Sequence, residues 1–188
     1  TLSSSSAASD VYKRQVKQQM EETSVNKVLE KNWPGLHIEP LQAPENMEVL
    51  IGWTGSPASS PHLVSEVKRL KSDPSFYGDF LDQSHMCVEN LIQAFKTNNI
   101  KGVQKMVRQN RTIIQSMDSE AAVDIETDML KKLCDIGEKH GGASKTSGAG
   151  GGDCGITIIN NVIDKKVIYD EWRVTGIKPL EFKIYHGQ

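Results

Sequence analysis

Through the middle of this 188-residue chain, apolar side chains return every three or four positions, the period of a helix that buries one face. Phe76, Phe80, Leu81, Cys87, Val88, Leu91, Ile92 and Phe95 predict a helix over 74–98. Ile100, Val103, Met106, Val107, Ile113, Ile114 and Met117 predict a second over 100–117. Ile125, Met129, Leu130, Leu133, Cys134 and Ile136 predict a third over 123–139, which Gly141 and Gly142 end. Upstream, Val16, Met20, Val25, Val28 and Leu29 suggest a helix over 16–32, broken by Pro34-Gly35 and followed by an extended segment through Leu36, Ile38 and Leu41. "SPASSP" (56–61) reads as a loop that sets Pro61 in the first turn of a helix over His62–Lys71. Toward the ends the period changes. "MEVLIGWTG" (47–55), "ITIIN" (156–160) and the alternating "KPLEFKIYH" (178–186) read as strands, with "KKVIYDEWRVT" (165–175) as a helix between the last two. Strands at both ends of a helical middle predict one α+β domain.

Composition narrows the class. A hydrophobic fraction of 37% and a charged fraction of 24% are those of an ordinary globular protein. A net charge of -2 argues against nucleic acid as a partner. No apolar run approaches the roughly 20 residues that cross a bilayer, so no membrane partner is expected. Cys87, Cys134 and Cys154 are few, odd in number and not spaced as metal ligands, which fits a reducing cytoplasm. Residues 1–15, "TLSSSSAASDVYKRQ", lack an initiator Met, an apolar core and an amphipathic period. They resemble translated sequencing-adapter read-through and are expected to be non-native, with the native chain continuing upstream.

"SKTSGAGGGDCGI" (144–156) is the candidate for chemistry. A flexible linker joins separately foldable units, yet only 33 residues (156–188) follow Gly155, too few for a stable domain. The segment is therefore expected to be a loop held at both ends. A Walker A loop needs Gly-Lys-Ser/Thr ahead of a helix, and here the glycines follow Lys145. Gly150 to Gly155 spell G-x-G-x-x-G, but open a β-branched strand rather than a helix, so the match is accidental. What remains is a cradle in which successive N–H groups face an anion, with hydroxyls from Ser144, Thr146 and Ser147 and a charge from Lys145.

The same stretch resembles the third conserved motif of the GHMP small-molecule kinases. Its extension to Gly-Gly-Gly-Asp-Cys-Gly, preceded by Lys-Thr-Ser, resembles the bacterial phosphomevalonate kinase branch. "VLEKNWPGLHIEPL", "LIGWTGSPASSPHLVSEVK" and "WRVTGIKPLEFKIYHG" extend the likeness from about Val16 to Gln188. The resemblance implies a C-terminal half whose sheet of about four antiparallel strands is covered by helices, over 16–188, with the N-terminal ATP-binding half missing. It implies transfer from ATP with Mg²⁺ to 5-phosphomevalonate, in a cytoplasmic enzyme of isoprenoid synthesis. Ser144, Lys145, Thr146, Ser147, Gly148, Ala149, Gly150, Gly151, Gly152 and Asp153 become the phosphate-binding residues. Asp153 is expected to fix the loop, its carboxylate accepting backbone N–H bonds. No catalytic residue is assigned in this half, and the half alone is expected to be inactive. The alternatives are a non-catalytic phosphate- or ligand-binding domain on the same scaffold, or a sister enzyme such as mevalonate kinase.

Other features are read conservatively. Ser59 and Ser60 are a second candidate for phosphate or Mg²⁺, against simple N-capping by Ser60. The carboxylates of "MDSEAAVDIETD" (117–128) are expected to favour the dipole of the helix that follows. The five histidines lack metal-site spacing, and no metal ligand is assigned.

Overall fold

The structure, a computed structural model, describes residues 39–57, 73–121, 124–148 and 150–181. The chain divides into two units, Thr1–Pro40 and Leu41–Gln188, and every element below belongs to the second. The helices expected over 16–32 and His62–Lys71, and residues 182–186 of the last expected strand, lie outside the described residues.

In chain order the elements are β1 (Met47–Trp53), α1 (Pro74–Lys96), α2 (Ile100–Ala121), α3 (Asp128–Lys139), β2 (Ala143–Thr146), β3 (Cys154–Asn160), α4 (Lys165–Val174) and β4 (Lys178–Leu180). The four strands form one antiparallel sheet in the order β2-β3-β1-β4. β1 and β3 lie at the centre, in register from Met47 opposite Asn160 to Trp53 opposite Cys154. Polar residues set the helix starts. Asp73 caps α1 through the N–H groups of Ser75 and Phe76, Thr127 caps α3, and Asp164 caps α4. α3 ends as expected, with Gly141 at φ +83°.

Strand alternation sends two sets of side chains to opposite faces of the sheet. Leu50 and Ile159 meet α3 and α4 in a cluster of Leu133, Cys134, Ile136, Ile168, Trp172 and Ile177. Met47, Val49, Ala143 and Ile158 meet the α1–α2 hairpin at Ala94, Ile100, Val103 and Val107. Trp172 is fully buried, and its indole N–H donates to the Leu133 carbonyl at 3.1 Å.

Most boundaries fall within two residues of the sequence expectation, and the larger differences lie around α2, α3 and β2. α2 runs on to Ala121, and α3 begins at Asp128 rather than 123. The acidic run is thus divided: Asp118 and Glu120 belong to α2, and only Asp128 lies in the first turn of α3. β2, "ASKT", was expected as part of the glycine loop. It is a strand because its small side chains fit beneath α3, where a Cβ on Gly137 would lie within 2.6 Å of Thr157 Oγ1.

Candidate functional site

The glycine segment is a β-hairpin, with β2 and β3 paired from Ala143–Ile158 to Thr146–Gly155 and a loop over residues 147–153. The Ser147 N–H donates to the Cys154 carbonyl at 2.9 Å and closes the hairpin. The loop is then bound to two other parts of the fold. Gly151 N–H donates to the Ile125 carbonyl at 2.7 Å, in the connection between α2 and α3. Asp153 N–H donates to Ser56 O at 2.6 Å, and Asp153 O accepts from Thr54 N and Thr54 Oγ1 at 2.8 and 2.9 Å. The exit of β1 is therefore stitched to the loop. Ser56 and Pro57 reach it at the start of "SPASSP", while Ser59 and Ser60 lie outside the described residues.

These anchors explain the glycines. Gly150 has φ +75°, and a Cβ there would lie 2.5 Å from Ile125 O. Gly152, at φ +125°, would press a Cβ to 3.0 Å from Ser56 O. An L side chain fits neither backbone nor space at these two positions.

The loop's main chain divides into anchors and unspent donors. Ser147, Gly151 and Asp153 donate to carbonyls, whereas among the described residues the N–H groups of Gly148, Gly150 and Gly152 have no acceptor. Gly150 and Gly152 are buried residues, and buried N–H groups are nearly always paired in folded proteins. Gly148 at the tip is exposed, with no heavy atom beyond its two chain neighbours within 4 Å of the position a Cβ would take.

The flanking candidates separate by face. Ser144 is fully buried and shares a 2.8 Å hydrogen bond with Thr157 Oγ1, so its hydroxyl is engaged within the sheet–α3 packing. Thr146 is also buried, and its Oγ1 is the one buried side-chain oxygen without a partner among the described residues. Lys145 points its ammonium to the Thr146 carbonyl at 2.7 Å, and no carboxylate among the described residues pairs with it. Burial holds its pKa below the ordinary lysine value. Asp153 fixes the loop by its main chain: among the described residues its exposed carboxylate accepts no backbone N–H and meets the Cys154 thiol at 3.7 Å. The residue sits in the left-handed region, at φ +61°. Burial raises the Cys154 thiol, and the neighbouring Asp153 carboxylate raises it further, so it is no activated nucleophile.

Sequence reasoning missed the support beneath the loop. Arg111, Gln115 and Asp118 recur at i, i+4 and i+7 on one face of α2. Asp118 accepts the N–H groups of Ile125 and Glu126 at 2.7 and 3.1 Å. Glu126 in turn is held by Arg111 and by Gln115 Nε2. Arg111 and Glu126 are 13% and 4% exposed, so this is a desolvated pair. Burial alone would lower the Arg111 pKa, but hydrogen bonds to Glu126 and Asp135 hold it above the usual guanidinium range. Burial raises the Asp118 carboxyl, opposed by its two backbone N–H bonds. A polar stripe on an otherwise amphipathic helix was the available signal.

Residues 91–177 match the family described as GHMP kinases C terminal. Over 159 residues, 83% of this chain, the sequence is 33% identical to the phosphomevalonate kinase of Streptomyces sp. strain CL190. This is a GHMP kinase C-terminal domain. Among solved structures, the Lin0012 protein of Listeria innocua superposes with a TM-score of 0.79 and 36% identity, covering 90% of this chain and 48% of that one. The Streptococcus pneumoniae phosphomevalonate kinase superposes at 0.73 with 27% identity, covering 89% and 49%. Its complex with phosphomevalonate and AMPPNP superposes at 0.70. The chain spans 42% of the length of the Streptomyces enzyme. In this GHMP domain the hairpin loop, the exit of β1 and the α2–α3 connection converge, and the described helices include none long and apolar enough to cross a membrane.

Proposed function

We propose that this chain is the C-terminal half of a phosphomevalonate kinase, whose loop 147–153 holds phosphate oxygens during transfer from Mg-ATP to 5-phosphomevalonate. The observation that carries this reading is the division of the loop into anchored and unspent N–H groups. Unpaired donors on an anchored, glycine-rich loop suit an anion. The similarity to an enzyme solved with phosphomevalonate and AMPPNP supports the acceptor and the nucleotide.

The acceptor oxygen is already ionised at neutral pH, so the obstacle is the approach of two anions. Fixed N–H dipoles lower that barrier without reorganising during the reaction. Gly148, Gly150 and Gly152 are the proposed main-chain donors, with the Ser147 hydroxyl, Lys145 and Thr146 as further contributors from the same hairpin; Ala149, also expected at the phosphates, lies outside the described residues. Ser144 serves by packing β2 under α3. Among the described residues no three His, Cys, Asp or Glu side chains converge on a metal position. Mg²⁺ in this reading arrives on the nucleotide and neutralises phosphate charge there.

The test joins this chain to its native N-terminal half and follows ADP release with 5-phosphomevalonate or mevalonate as acceptor. Turnover with 5-phosphomevalonate, and none by the present chain alone, supports the reading. Preference for mevalonate would move the chain to the sister enzyme, and anion binding without transfer would make it a binding domain.

A further inference from the structure

The reading above leaves the Arg111–Gln115–Asp118 stripe of α2 unused. Among the described residues no hydrogen bond or ion pair joins this stripe to the loop itself. The stripe grips residues 125 and 126, and residue 125 grips the loop. From Asp118 the chain of contacts runs through the Ile125 N–H at 2.7 Å, across the Ile125 residue, and from its carbonyl to Gly151 N–H at 2.7 Å. Ile125 is fixed at its side chain too, buried with Met117 and against Phe76, Phe80 and Ile114. Glu126 locks the next residue to Arg111 and Gln115.

The arrangement costs something in isolation. Burying an Arg–Glu pair and half-burying a second carboxylate, Asp118, is neutral to unfavourable compared with apolar packing. An apolar stripe at 111, 115 and 118 would close the helix–connection interface as well, but would leave the Ile125 and Glu126 N–H groups unpaired. What the polar stripe adds is a fixed position for main-chain atoms, and the Ile125 carbonyl is the atom on which the loop rests.

We infer that Asp118, supported by the Arg111–Glu126 pair, is a positioning residue that sets the glycine loop through Ile125. The inference rests on the proposed phosphoryl transfer, but its first readout does not. That readout is single-amide hydrogen exchange in the complete kinase containing this chain, comparing wild type with Asp118→Asn and Asp118→Ala. Gly151 N–H, bonded to Ile125, is expected to lose protection at least about tenfold in Asp118→Ala. Ser147 N–H, bonded within the hairpin, and the amides of α4 keep theirs. Asp118→Asn retains one acceptor and falls between.

The second readout is kinetic. kcat falls about 10- to 100-fold in Asp118→Ala while KM for both substrates changes less than about threefold, because the loop acts on charge in the transition state. Asp118→Asn recovers part of the loss. Equal loss of protection at Ser147, Gly151 and α4 would mean a global stability role and overturn the inference. So would unchanged Gly151 protection, or unchanged kcat with a loosened loop. If Asp118→Ala does not fold, Asp118→Asn decides by the same pattern. If wild type transfers no phosphoryl group, the functional reading fails, while the Gly151 exchange still decides whether Asp118 holds the loop.

Discussion

Gly148 and Gly150 differ by two positions and share a left-handed backbone, φ +69° and +75°, yet their replacement by alanine should have unequal consequences. Each Ala pays the left-handed cost, about 1–2 kcal/mol. At Gly148 nothing else is added, because beyond its two chain neighbours no heavy atom lies within 4 Å of the new Cβ. At Gly150 the new Cβ meets Ile125 Cγ2 and lies 2.5 Å from Ile125 O. Neither atom retreats cheaply: the first belongs to a packed cluster, the second to backbone held by Asp118. The loop must leave Ile125, and the Gly151 bond, about 1 kcal/mol net, goes with it.

The expected destabilisation is about 1–2 kcal/mol for Gly148→Ala and about 2–4 kcal/mol for Gly150→Ala. At about 2–4 °C per kcal/mol for a chain of this size, thermal unfolding should separate the two variants by several degrees. The assay is calorimetry on both variants in one buffer, with the amide resonance of Gly151 as a local probe. Equal shifts in Tm, or a Gly151 amide undisturbed in Gly150→Ala, would refute the reasoning that Ile125 is the loop's abutment.

Two further outcomes are expected. Trp172→Ala should cost about 3–5 kcal/mol in urea unfolding, and Trp172→Phe markedly less, since Phe loses the bond to Leu133 O but keeps most of the ring's packing; equal costs would contradict the packing account. Burial would raise the Asp135 carboxyl, but hydrogen bonds from Lys131 and Arg111 hold it below its usual value, so its contribution to stability is present above about pH 4 and is lost as pH falls through the lowered native value. The difference in Tm between the protein and Asp135→Asn should therefore shrink below about pH 4, and a gap that stays constant to pH 2 would count against that linkage.

Much of the fold was legible because its helices and central strands bury apolar faces. β1 and β3 carry Val49-Leu50-Ile51 and Ile156 to Ile159, and α3 keeps Leu130, Leu133, Cys134 and Ile136 on one side. β2 was not legible, because apart from the single methyl of Ala143 what it buries is the hydroxyl side chains of Ser144 and Thr146. Ser144 and Thr157 satisfy each other, a pairing between residues 13 apart that no period along the chain announces. The candidate site was legible in its glycines but not in its supports. Ile125, Thr54 and Ser56 hold the loop with main-chain atoms, and main-chain acceptors leave no trace in residue identity. Asp118 left a trace that pointed elsewhere: a carboxylate ahead of a helix suggests the helix dipole, yet Asp118 lies in the preceding helix and holds a connection.

The weak signal of β2 and the anchoring of the loop have one physical origin. α3 approaches the sheet so closely that Gly137 has no room for a Cβ against Thr157, and the strand residues beneath it must be small. Gly52 and Gly155 repeat the requirement at Leu133, where a Cβ on either would fall within 2.7 Å of that side chain. A helix seated this low brings its own N-terminal connection, 124–127, down to the level of the hairpin loop instead of leaving it above the sheet. Ile125 can then offer its carbonyl to Gly151 directly, without an intervening side chain. A bulkier β2 would lift α3, move Ile125 away and leave Gly151 unpaired, so the hydroxyl-lined packing beneath α3 is part of what presets the loop's donors.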